Sequence, residues 1–112
     1  MKIMIVDDNR QMREFLKSFF SSAENNIIEC VNGLEAGETY GLYNPDYVLM
    51  DIRMPVMDGI EATKRIIHSF PKAKIIIVTE FDDEHLRGEA DKAGAKKYLL
   101  KDNLSELNQI II

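Results

Sequence analysis

Unbroken apolar runs and spaced apolar positions take turns along this chain. Ile3-Met4-Ile5-Val6 is a run without alternation, as expected of a parallel strand covered on both faces, and it stops at Asp7 and Asp8. Met12, Phe15, Leu16, Phe19 and Phe20 then recur at i, i+3, i+4, i+7 and i+8, the wide stripe of an amphipathic helix. Ile27 to Val31 predicts a second strand, and Asn32-Gly33 turns the chain into a helix from about Leu34 to Tyr43. Gly37 and Gly41 each cost that helix about 1 kcal/mol against Ala, so packing has to support it and it is expected to be the loosest of the set.

Asn44-Pro45 ends the second helix, and Tyr47 to Met50 forms a strand that delivers Asp51 to a loop containing Pro55. Asp58 is placed to cap a third helix whose buried side is expected to run through Ile60, Thr63, Ile66, Ile67 and Phe70 before Pro71 closes it. Lys74 to Thr79 is the most strand-like segment, β-branched almost throughout. Asp82 and Asp83 precede a helix with a thin stripe of Leu86, Ala90 and Ala93, ended by Gly94. Lys96 to Leu100 predicts a fifth strand leading into Lys101, and Leu104, Leu107 and Ile111 a last helix. Strict alternation of strands and helices implies an α/β fold, a doubly wound parallel sheet with helices on both faces. No repeat or linker interrupts it, so one domain is expected over residues 1–112.

Composition narrows the function. Hydrophobic residues at 46% and charged residues at 29% describe an ordinary globular chain. A net charge of -5 opposes direct nucleic-acid binding, which needs clustered Lys and Arg to neutralise phosphates. The opening apolar run is too short for a signal-peptide core or a membrane span, so no membrane association is expected. Cys30 is the only cysteine, which points to a reducing, cytoplasmic setting, and within a strand it reads as a small hydrophobe.

Candidate chemistry gathers at strand ends. Asp51 alone would read as a turn acid, and Asp7 and Asp8 alone as caps of the first helix. In open parallel sheets, however, the functional crevice lies beyond the carboxyl ends of the strands. Asp7 and Asp8 end the first strand, Asp51 the third, Thr79 the fourth and Lys101 the fifth. Three acids on one rim repel one another, and a divalent cation or a proton relieves that; oxygen-only ligation with few protein ligands suits Mg²⁺. A carboxylate can attack phosphorus to form an aspartyl phosphate, with Lys101 offsetting charge on the phosphoryl group and Thr79 donating to one of its oxygens.

These residues, Val6-Asp7-Asp8, the run from Asp51 through Pro55 to Gly59, Val78-Thr79 and Tyr98-Leu99-Leu100-Lys101, resemble the receiver domains of two-component response regulators over essentially the whole chain. The resemblance implies a flavodoxin-like sheet of order 2-1-3-4-5, an order known for a chemotaxis protein of this family. It implies Asp51 as phosphoacceptor and Mg²⁺ bound by Asp8, Asp51 and the Arg53 carbonyl, with Asp7 acting through a coordinated water. Thr79 and Lys101 would contact the phosphoryl group, and Thr79 with Tyr98 would form the switch. Expected partners are a histidine kinase or phosphotransfer protein, an output domain or effector protein, and a phosphorylation-dependent second copy of the chain. The output would run through the surface of the fourth helix, fifth strand and last helix, in phosphorelay signalling and transcription regulation. The implied domain is a signalling switch rather than an enzyme, though one that phosphorylates itself with Mg²⁺ and dephosphorylates.

Two positions depart from the usual pattern. Glu80 stands where Ala or Gly often follows the Thr, and Asp102 where a cis-Pro often follows the Lys. A cis bond without Pro costs about 3 kcal/mol, so a trans peptide is expected at Lys101-Asp102. Lys101-Asp102 and the run Thr79-Glu80-Phe81-Asp82-Asp83 are similar to receivers of the LuxR/NarL kind. Three other readings stand beside this one: a phosphorylation-independent pseudo-receiver, consistent with Glu80; an FMN carrier, opposed by the Asp-rich first loop; and a phosphohydrolase, opposed by the lack of length for a substrate cap.

Overall fold

The computed structural model describes residues 1–111, with side chains as far as Gln109. Five parallel strands, β1 (Lys2–Val6), β2 (Asn26–Cys30), β3 (Tyr47–Met50), β4 (Ile75–Thr79) and β5 (Lys97–Leu100), stand in the order β2-β1-β3-β4-β5. The helices between them are α1 (Arg10–Lys17), α2 (Gly33–Tyr43), α3 (Gly59–Ser69), α4 (Glu84–Ala93) and α5 (Leu107–Ile111). The expected doubly wound, flavodoxin-like order is the observed one.

Because side chains alternate across a strand, the unbroken runs feed two cores. In β4, Ile75 and Ile77 join Ala36 and Tyr40 of α2, Ala62 and Ile66 of α3 and Ala90 of α4. Ile76 and Val78 turn to the other face, with Leu16 of α1 and Leu107 of α5. All five β4 side chains are buried. Cys30 is fully buried, and that burial pushes its thiol up to about 11, away from reactive thiolate.

Capping follows the sequence. Asn9, Asn32, Asp58 and Asp83 each accept a backbone N–H at the start of α1, α2, α3 and α4, and Asn44 and Gly94 close α2 and α4 in left-handed conformations.

Three expectations about faces are corrected. The stripe of the first helix does not bury Phe15, which is 49% exposed. The α-helix stops at Lys17 and tightens into a 3-10 turn over Ser18–Phe20, so Leu16 and Phe20 enter the core while Phe15 stacks edge-on against Phe19 at 5.3 Å between centroids. In α3 the buried side runs through Gly59, Ala62, Thr63 and Ile66; Ile60 and Ile67 are half-buried, and Phe70 is the exposed helix cap, its ring tilted against that of Tyr40. Small residues are needed there because α2 approaches closely: a Cβ on Gly33 would meet the Met57 and Asp58 carbonyl oxygens and Ala62 Cβ. Finally, Val31, expected in the second strand, lies past its end and is exposed. The side chain of Ile111, assigned to the last helix, lies outside the described residues; Leu104 and Leu107 are buried as expected.

Parallel register brings the strand ends level. Val6 pairs with Met50, Met50 with Ile77, and Thr79 with Leu100. The residues that follow these strands therefore share one rim.

Candidate acidic functional site

The rim carries a cleft whose walls include Asp7, Asp8, Asp51, Arg53, Glu80 and Lys101. One carboxylate oxygen from each of Asp7, Asp8 and Asp51 lies within 4.8 Å of the others. Asp7 and Asp51 are buried and Asp8 is exposed, so the cluster has a dry floor and an open mouth. Lys101 reaches in from the end of β5, with Nζ 3.0 Å from Asp7 Oδ2 and 3.3 Å from Asp51 Oδ2.

Backbone and side-chain donors fix the acids. Asp7 Oδ1 accepts the Asn9 N–H at 2.9 Å, and Arg13 donates to the Asp7 carbonyl at 2.9 Å. The Asp51 N–H donates to the Val6 carbonyl at 2.9 Å, and Asp51 Oδ1 accepts the Ile52 N–H at 2.8 Å. Gly59 is required behind this residue, because a Cβ there would collide with the Asp51 carbonyl oxygen.

The electrostatics follow from burial and crowding. Burial foremost, then the Asp7 carboxylate, pushes the Asp51 carboxyl up to about 6, against the opposing pull of Lys101 and the Ile52 N–H. Burial alone would lower the Lys101 ammonium, but Asp51 and Asp7 outweigh it and hold the group above the ordinary lysine value. Asp7 Oδ2 is buried, close to Lys101 yet without an aligned hydrogen bond. Three carboxylates beside one ammonium leave net negative charge on an all-oxygen donor set, which fits a hard divalent cation such as Mg²⁺.

Thr79 and Tyr98 sit differently from the acids. Thr79 is fully buried at the end of β4, and its Oγ1 accepts the Phe81 N–H at 3.3 Å. Tyr98 is half-buried on β5 and donates its hydroxyl to the Phe81 carbonyl at 2.6 Å. Neither lines the cleft. His68 and His85 are exposed, as expected. No cis peptide bond occurs among the described residues, so Lys101-Asp102 is trans.

Sequence reasoning missed Arg13, Asn9 and Phe81. Arg13 has a legible signal, a cation one turn into the helix that follows the paired acids. The role of Phe81 depends on contacts across two loops and has none.

The model of the response regulator receiver domain matches residues 3–112. The chain belongs to that family. Among relatives, the receiver domain is 43% identical over 108 residues to the transcriptional regulatory protein YhcZ of Bacillus subtilis, covering 95% of this chain and 50% of that one. It is 47% identical over 103 residues to the transcriptional regulatory protein LnrK of the same organism, covering 90% and 47%. The chain thus spans about half the length of these two relatives. The chemotaxis protein CheY of Thermotoga maritima is 43% identical over 101 residues, 89% of this chain and 84% of that one. Among solved structures, a LuxR-family two-component response regulator from Aurantimonas sp. superposes with a TM-score of 0.88 at 32% identity, covering 96% of this chain and 79% of that one. CheY in the CheX-CheY-BeF3-Mg complex of Borrelia burgdorferi gives 0.86 at 31%, covering 98% and 84%. Receiver domains are signalling domains of two-component systems rather than classical enzymes, and transcription regulators are frequent among the relatives of this one. They carry phosphorylation-dependent signals, bind Mg²⁺ at an acidic pocket, and work with kinases and with output domains or effectors.

Proposed function

We propose that Asp51 accepts a phosphoryl group from the phosphohistidine of a partner histidine kinase or phosphotransfer protein. The carboxylate cluster supports this most directly: three acid oxygens within 4.8 Å, two of those acids also contacting one lysine. A carboxylate oxygen of Asp51 attacks phosphorus, the P–N bond breaks, and the imidazole leaves. Asp8, Asp51 and the Arg53 carbonyl would hold Mg²⁺, with Asp7 acting through water. The bound ion supplies charge neutralisation for the acids and the transferring group. Lys101, now paired with Asp7 and Asp51, turns its ammonium to the phosphoryl oxygens. Thr79 exchanges its contact with the Phe81 N–H for one with the phosphoryl group, and Tyr98 moves into the space released. The surface of α4, β5 and α5 then changes what it offers to an output domain, an effector or a second copy of the chain.

Radiolabelled acetyl phosphate tests the reading. Wild type should take up alkali- and hydroxylamine-labile label only with Mg²⁺, and Asp51→Asn should take up none; label at the same site in Asp51→Asn would overturn it. A second reading, a pseudo-receiver that acts without phosphorylation, is favoured by Glu80, whose exposed carboxylate lines the cleft. It calls for no Mg²⁺-dependent binding of beryllofluoride, whereas the first reading calls for such binding and a phosphoryl lifetime set partly by Glu80.

A further inference from the structure

Arg13 does not line the acidic cleft, yet it closes a ring of contacts around Asp7 at the cleft floor. The Asp7 N–H donates to the Cys30 carbonyl on β2 at 3.1 Å. One residue back along β2, Glu29 Oε1 accepts the Arg13 Nε–H at 3.0 Å, and Arg13 Nη1 donates to the Asp7 carbonyl at 2.9 Å. The path has returned to its start. The end of β1, the end of β2 and the second turn of α1 are thereby locked to one another through a single guanidinium.

Each member of the ring is itself held. The Arg13 side chain is 13% exposed, so its donors are committed to protein acceptors more than to water. Lys17 donates to Glu29 Oε2 at 3.1 Å, so both oxygens of that carboxylate are engaged. Burial would raise the Glu29 carboxyl, but the hydrogen bonds from Lys17 and Arg13 outweigh it and hold the group below its ordinary value, ionised at neutral pH. The peptide between Asp7 and Asp8 is trans and planar, so tying the Asp7 carbonyl also sets the direction in which the chain enters Asp8. Asp8 is exposed, and its carboxylate depends for placement on its main chain more than on packing.

We infer that Arg13 is a positioning residue for the metal site: anchored by Glu29, it fixes the Asp7-Asp8 peptide so that both carboxylates are preset for a divalent cation. This rests on the reading of the acidic cluster as a Mg²⁺ site and deepens it. Charge alone would act in the opposite direction, since a guanidinium near the cluster repels an incoming cation. Removing Arg13 therefore tightens Mg²⁺ binding if only its charge matters and weakens it if placement matters.

The test titrates the whole chain with Mg²⁺ alone at neutral pH and constant ionic strength, following the amide ¹⁵N–¹H resonance of Asp8. Arg13→Gln should weaken binding about tenfold, the low end for a partner one contact removed from the metal ligands. Arg13→Lys keeps the charge but cannot reach both acceptors with one fork, and it should also weaken binding. Glu29→Gln should weaken binding less than Arg13→Gln, and the double variant should bind no more weakly than Arg13→Gln alone, because the ring is already open. Without metal, the Asp7 N–H should exchange with solvent faster in Arg13→Gln, while the Asp51 N–H, bonded to the Val6 carbonyl, should not. Mg²⁺ binding unchanged or tightened in Arg13→Gln, a double variant that returns to wild-type affinity by cancellation of charge, or unchanged exchange at Asp7 would each overturn the inference alone. A wild type that takes up no Mg²⁺ would overturn the metal reading and this inference with it.

Discussion

Asp51 should make the metal-free protein less stable at neutral pH than a neutral residue would. Its carboxyl rises from 3.8 to about 6 on folding, first through burial and then through Asp7. Across that window the folded state still holds a proton that the unfolded chain has released. Stability therefore falls as pH rises from about 4 to 6, and the loss is complete above that. Two units correspond to about 3 kcal/mol, a ceiling because water entering the open cleft screens the charges. Asparagine mimics the protonated carboxyl in shape and cannot ionise. In chelator at pH 8, Asp51→Asn should melt higher by as much as about 12 °C, at about 4 °C per kcal/mol for a chain of this length. At pH 4 the two proteins should melt within about 2 °C of each other, since both then carry a neutral group. Differential scanning calorimetry across pH 4 to 8 measures the gap. A variant equal to or less stable than wild type at pH 8, or a gap independent of pH, would refute the reasoning. Adding Mg²⁺ at pH 8 should narrow the gap, because a cation bound by the native carboxylates stabilises wild type by mass action.

Two further outcomes follow from packing and backbone geometry. Val56 sits at φ 72 in the loop after β3 and is 75% exposed, a left-handed conformation that a β-branched residue adopts only under strain. Val56→Gly should raise stability in urea titrations by about 1 kcal/mol, the relief of strain outweighing the greater freedom of Gly in the unfolded chain. Leu107 is fully buried on the α1 and α5 side of the sheet, and Leu107→Ala should cost about 3 kcal/mol by the same measurement.

The sheet was legible because its chemistry is local. Ile75 to Val78 can hardly be anything but a strand buried on both sides, and an apolar run that halts at Asp7, Asp51 or Lys101 announces where its end must be. Helix faces were harder. A period counted along Met12 to Phe20 assumes a uniform helix, and the change to a 3-10 turn at Ser18 rotates the later residues relative to Phe15. In α3 the decisive fact was the nearness of α2 at Gly33, which selects Ala62 rather than a larger residue, and no periodicity within one helix reports its neighbour. The acids of the site could be placed from sequence, whereas the ties of Phe81 to Arg53 and Tyr98 join loops whose relative positions only the folded chain defines. The left-handed backbone at Val56 was hidden for a different reason: valine gives no hint of it.

Asp51 is built on an anvil. Its N–H is tied to Val6, the N–H of Gly59 is tied to the Ile52 carbonyl at 2.8 Å, and Gly59 itself presses against the Asp51 carbonyl with no room for a single carbon. The main chain under the carboxylate is pinned on both sides, by Val6 and by Gly59. A force applied at that side chain is therefore not absorbed as a local dent in β3 or its loop. The groups beside it that carry no such restraint on their ends are side chains lining the cleft, the Lys101 ammonium and the Arg53 guanidinium. Stiffness beneath the acid leaves side chains around the cleft, rather than the backbone of β3, as the parts with room to adjust.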